Sequence, residues 1–283
     1  MIRGIIKLMR PKHWVKNLFV VAPLFFSGRF NEADSIIRTI IAFLAFCSIA
    51  SATYIFNDIQ DLEADRLHAA KSKSRPIASG LVSVKTAWIL FAFLVFLALS
   101  LVLTYPRIAY VIAAYLILNI AYSLRLKRVA VIDMFVIAVG FVLRVYAGAY
   151  AIEVPVSKWM FVTTFCLALF LASMKRFQEL KIHGSSSRAV LGKYDVAFVQ
   201  RVAEMSGILA VVFYSIFTIT ARPGFVISIP IVVFILVRYW FIADKNGAGE
   251  SPTDLILKDW QILVSAGALA ASLAFVMIVH YSG

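Results

Sequence analysis

Apolar runs of about 17 to 25 residues, long enough to cross a bilayer as α-helices, recur along nearly the whole chain. They fall at 17–30, 35–57, 86–105, 107–124, 131–151, 158–175, 199–220, 224–242 and 260–281. A sequence of 283 residues that is 62% hydrophobic and only 15% charged is too apolar for a soluble globular domain. The expectation is an all-α, polytopic membrane protein of about nine spans. No polar stretch is long enough for a separate soluble domain, so residues 1–283 read as one integral domain. Eight is the competing count, because the first run is short and the joint Tyr105-Pro106-Arg107 allows only a tight turn.

Arg3, Lys7 and Arg10 resemble the charged start of a secretory signal, but Lys12 and Lys16 follow and no soluble mature protein lies behind the apolar run. A cleaved signal peptide is not expected. Cys47 and Cys166 both fall inside spans, where small thiols are ordinary packing residues.

The net charge of +13 could serve membrane orientation, anionic lipid or an anionic substrate, and its distribution decides. At or next to the N-terminal arm and the ends of spans two, four, six and eight lie 22 of the 28 basic residues, which makes that side cytoplasmic. Only Arg29, Arg38, Arg107, Lys158 and Arg222 fall on the other side, and Arg144 lies within a span. Twelve of the 15 carboxylates sit on the basic side as well, where orientation alone needs none. A polar site is therefore expected there, in a cell (inner) membrane with the N-terminus cytoplasmic. No nucleic-acid partner is expected.

The densest acidic stretch, Asn57-Asp58-Ile59-Gln60-Asp61-Leu62-Glu63-Ala64-Asp65, stands where the second run ends. On a helix Asp58, Asp61 and Asp65 fall within roughly 60° of one another, Asn57 sits one turn before Asp61, and Glu63 points away. Like charges on one face repel, so the grouping is explained either by a divalent cation among them or by a solvated helix end. Arg66 and then Lys71-Ser72-Lys73-Ser74-Arg75 follow about ten positions later. Carboxylates that bind a cation, a cation that bridges diphosphate oxygens, and Lys and Arg that neutralise the remainder divide the work phosphate chemistry requires. A basic loop facing anionic lipid is the other reading, and it leaves the carboxylates unexplained. No Gly-rich Walker loop occurs.

Three further constellations lie on the same side. In Arg10-Pro11-Lys12-His13-Trp14-Val15-Lys16-Asn17, Lys12 and Lys16 share a face if the segment is α-helical, and could hold phosphate or simply anchor the arm. Asp133 and Arg144 share a face of the fifth span roughly 16 Å apart. A charge at mid-membrane costs about 2.5–3.5 kcal/mol on insertion scales, so Arg144 should face a polar cavity or a paired acid. After span six, Lys175-Arg176-Phe177-Gln178-Glu179 places Glu179 in reach of both bases, as an intrahelical pair or as part of a polar site. Residues 184–200 read as a loop or surface helix that could cover a site, and Asp254 and Asp259 as possible additions to it.

At these residues the chain resembles the UbiA superfamily of intramembrane prenyltransferases, whose signature is an N-D-x-x-D-x-x-x-D stretch ending the second span. Asn57, Asp58, Asp61 and Asp65 match it, and the likeness extends to Arg75-Pro76, Tyr122-Ser123, Leu126-Lys127-Arg128 and the stretch from Asp133 to Arg144, Ala147 and Gly148. The resemblance implies a helix bundle around a cytoplasm-facing cavity. Usual members carry a second Asp-rich motif after span six, where this chain has Lys175 and Arg176 with the single carboxylate Glu179. That departure, the arm Arg10-Pro11-Lys12 to Lys16-Asn17, and Glu250 with Asp254 look like the decaprenyl-phosphate phosphoribosyltransferase branch.

That branch implies transfer of 5-phosphoribose from 5-phosphoribosyl diphosphate to a polyprenyl phosphate, among membrane lipids, with release of diphosphate. It implies Mg²⁺ on Asp58 and Asp61, with Asp65 on the metal or behind it. Lys12, Lys16, Lys73, Arg75, Lys175 and Arg176 become phosphate ligands, joined by Arg144 and Glu179, while Asn57 and Tyr122 orient donor or metal. A donor with an extra phosphate calls for more cations and fewer carboxylates, which fits this residue set. The alternatives are a UbiA-type prenyltransferase joining a prenyl diphosphate to an aromatic acceptor such as 4-hydroxybenzoate, and a non-catalytic transporter or lipid-binding protein. The first lacks its second carboxylate pair. The second lacks the internal repeats and midplane polar residues common in transporters.

Overall fold

The computed structural model describes residues 2–68, 71–184, 190–246, 256 and 258–281; Glu250 and Asp254 lie outside these. Among the described residues every regular element is helical. Besides four short 3₁₀ turns they are α1 (Ile2–Met9), a longer 3₁₀ segment (Pro11–Val20), α2 (Ala22–Ser27), α3 (Ala33–Gln60), α4 (Leu62–Leu67), α5 (Lys71–Ser74), α6 (Val84–Leu101), α7 (Pro106–Leu124), α8 (Ile132–Ala151), α9 (Lys158–His183), α10 (Val196–Ala221), α11 (Ile229–Asn246) and α12 (Trp260–Tyr281). Eight of the described helices are long and apolar enough to cross a membrane: α3, α6 to α10, Pro223–Asp244 leading into and along α11, and α12. The protein is an all-α, multi-pass membrane protein.

The expected span at 17–30 does not form, and the reasons are local and specific. Arg10 takes a left-handed conformation (φ 55°, ψ 57°) and Pro11 then opens ten residues of 3₁₀ winding. Asn17, fully buried, donates from Nδ2 to Cys47 Sγ at 3.3 Å and accepts from Arg144 Nε at 2.8 Å. Gly148 of α8 lies so close to this segment that a Cβ there would stand 1.8 Å from the Val20 carbonyl oxygen. Gly28, at φ 83°, then ends α2. Hydropathy registers the apolar residues of 17–30, whereas its backbone is pressed against α8 and held by a buried amide.

Polar side chains inside the spans satisfy themselves locally. Thr39, Ser48 and Ser51 donate to carbonyls four residues back in α3, the usual solution where no water is available. Pro106 opens α7 without wasting a donor, and Ser83 caps α6 by accepting from the Thr86 backbone N–H at 3.1 Å.

The chain divides into two compact units, Met1–Lys127 with Leu143–Pro155, and Arg128–Val142 with Val156–Gly283. In the first, α3 packs along α6 and α7 around Phe46, Ile49, Ile112 and Tyr115. In the second, α9 and α10 pack along their length around Phe170, Met174 and Phe177, and Tyr239 of α11 joins that core.

Candidate active site

In the first unit the three carboxylates are carried on consecutive turns, although α3 itself ends at Gln60 and Asp61 forms the joint to α4. The Asp61 N–H donates to the Asn57 carbonyl and the Asp65 N–H to the Asp61 carbonyl, so the helical spacing survives the joint. Asp58 is 2% exposed and Asp65 is buried, while Glu63 is exposed on the far side as its spacing required.

Each carboxylate meets cations. Arg10 Nη2 and Arg75 Nη1 both donate to Asp58 Oδ1 at 2.5 Å. Lys127 Nζ donates to Asp61 Oδ1 at 2.5 Å and to Asn57 Oδ1 at 3.2 Å, and Asn57 Nδ2 donates to Asp61 Oδ2 at 3.0 Å. Lys71 and Arg75 stand 3.8 and 3.9 Å from Asp65. Burial pushes the Asp65 carboxyl above its ordinary value, against the pull of Lys71. Four cations thus face three carboxylates, an arrangement charged to take up phosphate oxygens.

Several sequence expectations land elsewhere. Lys12 and Lys16 do not share a face, because 3₁₀ winding at 120° per residue sets them about 120° apart; Lys12 is exposed and Lys16 half-buried. Lys73 is exposed, and its neighbour Lys71 takes the place beside Asp65. Tyr122 is half-buried near the end of α7. Trp14 donates to Ser51 Oγ at 3.0 Å. Arg144, 4% exposed, donates to Asn17 and to Tyr115 Oη at 2.9 Å and lies over the Tyr115 ring. Of the cations around the carboxylates, Lys71 and Arg75 come from the basic loop expected to neutralise phosphate, whereas Arg10 and Lys127 have no such role expected from the sequence. The pairing of these two depends on contacts across 48 and 66 residues of chain.

In the second unit Arg176, 1% exposed, donates from Nε to Asp133 Oδ2 at 2.7 Å and from Nη1 to Glu179 Oε2 at 2.6 Å, and Lys175 stands 4.0 Å from Glu179. Tyr194 Oη donates to Asp133 Oδ1 at 2.5 Å and accepts from the Val131 N–H at 2.6 Å. Burial and the adjacent Asp133 carboxylate push the Tyr194 phenol well above its ordinary range, which keeps it a donor. With Val190 and Leu191 in the core, residues 190–195 are fastened down by their side chains.

Mg²⁺ is commonly held by one or two carboxylates together with substrate phosphates and water, so an all-protein cage is not required of a site for it. Among the described residues no three His, Cys, Asp or Glu side chains form such a cage. Asp58 Oδ2, however, is buried with no hydrogen-bond partner, a hard oxygen acceptor left open beside Asp61 and Asp65. The donor set fits a hard divalent cation.

Taken by its fold and this charge pattern, the chain is a polytopic membrane protein with carboxylates and cations gathered at helix ends. It matches the UbiA prenyltransferase family over residues 18–258 and belongs to that family of membrane transferases. It is similar to the decaprenyl-phosphate phosphoribosyltransferase of Mycolicibacterium smegmatis, 34% identical over 97% of this chain and 94% of that protein. The protein of the same name from Corynebacterium glutamicum is also 34% identical, over 98% of this chain and 87% of its own length. A UbiA homolog from Archaeoglobus fulgidus, solved bound to GPP and Mg²⁺, shares the fold with a TM-score of 0.75 at 19% identity, covering 98% of this chain and 100% of that one.

Proposed function

We propose that the protein transfers 5-phosphoribose from 5-phosphoribosyl diphosphate to a polyprenyl phosphate of the decaprenyl-phosphate type, releasing diphosphate. The observation that carries this reading is the excess of cations around Asp58, Asp61 and Asp65, supplied by Arg10, Lys71, Arg75 and Lys127. A donor bearing a 5-phosphate as well as a diphosphate, and an acceptor that is itself a phosphate, bring more negative charge than a prenyl diphosphate and an aromatic ring. The near full-length similarity to phosphoribosyltransferases supports the same choice. So does the match spanning both compact units, as one transferase domain would.

Asp58 and Asp61 would hold Mg²⁺, with Asp65 beside them. When bound, the ion supplies positive charge to the diphosphate oxygens. Arg75, Arg10 and Lys127 exchange part of their carboxylate contact for phosphate oxygens as the donor binds, and Asn57 keeps Asp61 oriented. Lys16 and Lys12 add positive charge for the remaining phosphates. The C1–O bond of the ribose breaks with its electron pair leaving on diphosphate, and a lipid phosphate oxygen bonds to C1 from the opposite face, inverting it. The attacking phosphate is already ionised at neutral pH, so no dedicated general base is needed. The site faces the cytoplasm of a cell (inner) membrane, in keeping with the basic residues concentrated at that end.

The test supplies purified protein and Mg²⁺ with labelled 5-phosphoribosyl diphosphate plus polyprenyl phosphate, or with prenyl diphosphate plus 4-hydroxybenzoate. Labelled lipid from the first pair is expected. Product from the second pair alone refutes the reading.

A further inference from the structure

The short N-terminal helix α1 takes no part in the proposed transfer, and its surface has three distinct strips. Gly4 and Leu8 are buried, Leu8 in a cluster with Ala52 and Ile55 of α3 and Val82 before α6. One position back along the helix, about 100° round, Arg3 and Lys7 form an exposed basic strip. A further 100° round, Ile2 and Ile6 are 73% and 53% exposed. A helix with one face on protein, one bare apolar face and one basic face is stable in water only at a cost, and at a membrane surface at none.

Its depth agrees. α3 has 28 residues and is about 42 Å long, more than the roughly 30 Å hydrocarbon core needs. α1 packs on its last turns and against Leu81 and Val82, just before α6 begins. That level is where spans give way to headgroups. Gly4 permits the approach, since a Cβ there would meet Val82 Cγ2 at 3.0 Å and Leu81 O at 3.5 Å.

We propose that α1 lies in the membrane interface as a lipid-docking helix, with Ile2 and Ile6 against acyl chains and Arg3 and Lys7 holding the headgroups of anionic phospholipids. Charge complementarity selects the occupant: two exposed cations one turn apart beside an apolar strip suit a lipid of net negative charge and gain little from a zwitterionic surface.

The test places an environment-sensitive fluorophore on Ile6→Cys; native Cys47 and Cys166 are buried and do not compete. Reconstituted in phosphatidylcholine bilayers with phosphatidylglycerol, the label should be several-fold less quenched by acrylamide, a neutral quencher, than in phosphatidylcholine alone. Arg3→Gln with Lys7→Gln, a change that preserves helix propensity, should abolish that difference. Equal quenching in both bilayers overturns the proposal. So does protection that grows with protein concentration in lipid-free detergent, which would assign the strip to a second copy of the chain. The readout involves no turnover and is independent of the proposed reaction.

Discussion

Arg75 donates to one oxygen of Asp58 at 2.5 Å, while the other oxygen of that carboxylate is buried without a hydrogen bond. One oxygen thus fixes the side chain and the second is left for a ligand. Asp58→Asn removes the charge at nearly constant volume. Turnover should fall about 10²–10³-fold, the scale of losing one electrostatic partner at a reacting centre. Circular dichroism and gel filtration in detergent should show a folded protein. Near-normal activity would remove Asp58 from the metal role.

Lys127 and Lys73 make a matched pair of tests. Lys127 joins Asn57 and Asp61, whereas Lys73 is exposed. Loss of a charge-assisted hydrogen bond costs about 1.5–3 kcal/mol. Lys127→Gln should therefore raise the KM for 5-phosphoribosyl diphosphate by roughly ten- to a hundredfold. Lys73→Gln should leave it within about twofold, as an exposed charge contributes little. Steady-state kinetics with varied donor decide between them, and a larger effect at Lys73 would restore the expectation drawn from its sequence position.

The carboxylates were legible because their periodicity is local: Asn57, Asp58, Asp61 and Asp65 keep helical spacing even through the joint at Asp61. Eight of the spans were legible from hydropathy alone. The cation partners were not, since Arg10 reaches Asp58 over 48 residues and only after a left-handed turn that an arginine rarely adopts. Nor was the loss of the 17–30 span, whose causes are the left-handed Arg10, the 3₁₀ winding that Pro11 opens, the buried Asn17 and the tight approach of Gly148, or the separation of Lys12 from Lys16, which follows from that winding. Asp133 and Arg144 share a helix face by spacing but take different partners, Arg176 with Tyr194 and Asn17 with Tyr115. Periodicity reports which face a charge is on and is silent about what meets it there.

Gly148 provides a stability test of that packing. A methyl group there would overlap the Val20 carbonyl, and backbone on both sides leaves little room to yield. Gly148→Ala should destabilise by at least the roughly 1–3 kcal/mol of an overpacked core. Gly267→Ala in α12, where a Cβ meets nothing within 4 Å, should be neutral or stabilising by up to about 1 kcal/mol. Thermal unfolding of the two variants in one detergent gives the comparison, and equal midpoints would mean the 3₁₀ segment moves aside freely.

Asp259 joins two helices of the second unit through separate interactions. It accepts from the Ile262 N–H at 3.0 Å as the cap of α12, and pairs with Arg238 of α11 at 2.8 Å. The hydrogen bond from Arg238 is the largest influence holding this carboxyl below its ordinary value, helped by the cap. A depressed folded-state pKa contributes stability above the unfolded value, and that contribution is lost as pH falls through the folded value. Asp259→Asn keeps a capping oxygen and loses the charge, so its deficit against the native protein should be present at pH 7 and shrink below about pH 4. Asp259→Ala loses the cap as well and should stay about 1 kcal/mol worse than Asn at either pH. Unfolding midpoints at pH 7 and pH 3 in detergent separate the two contributions. A deficit for Asp259→Asn that does not change with pH would mean that it does not come from the charge pair with Arg238.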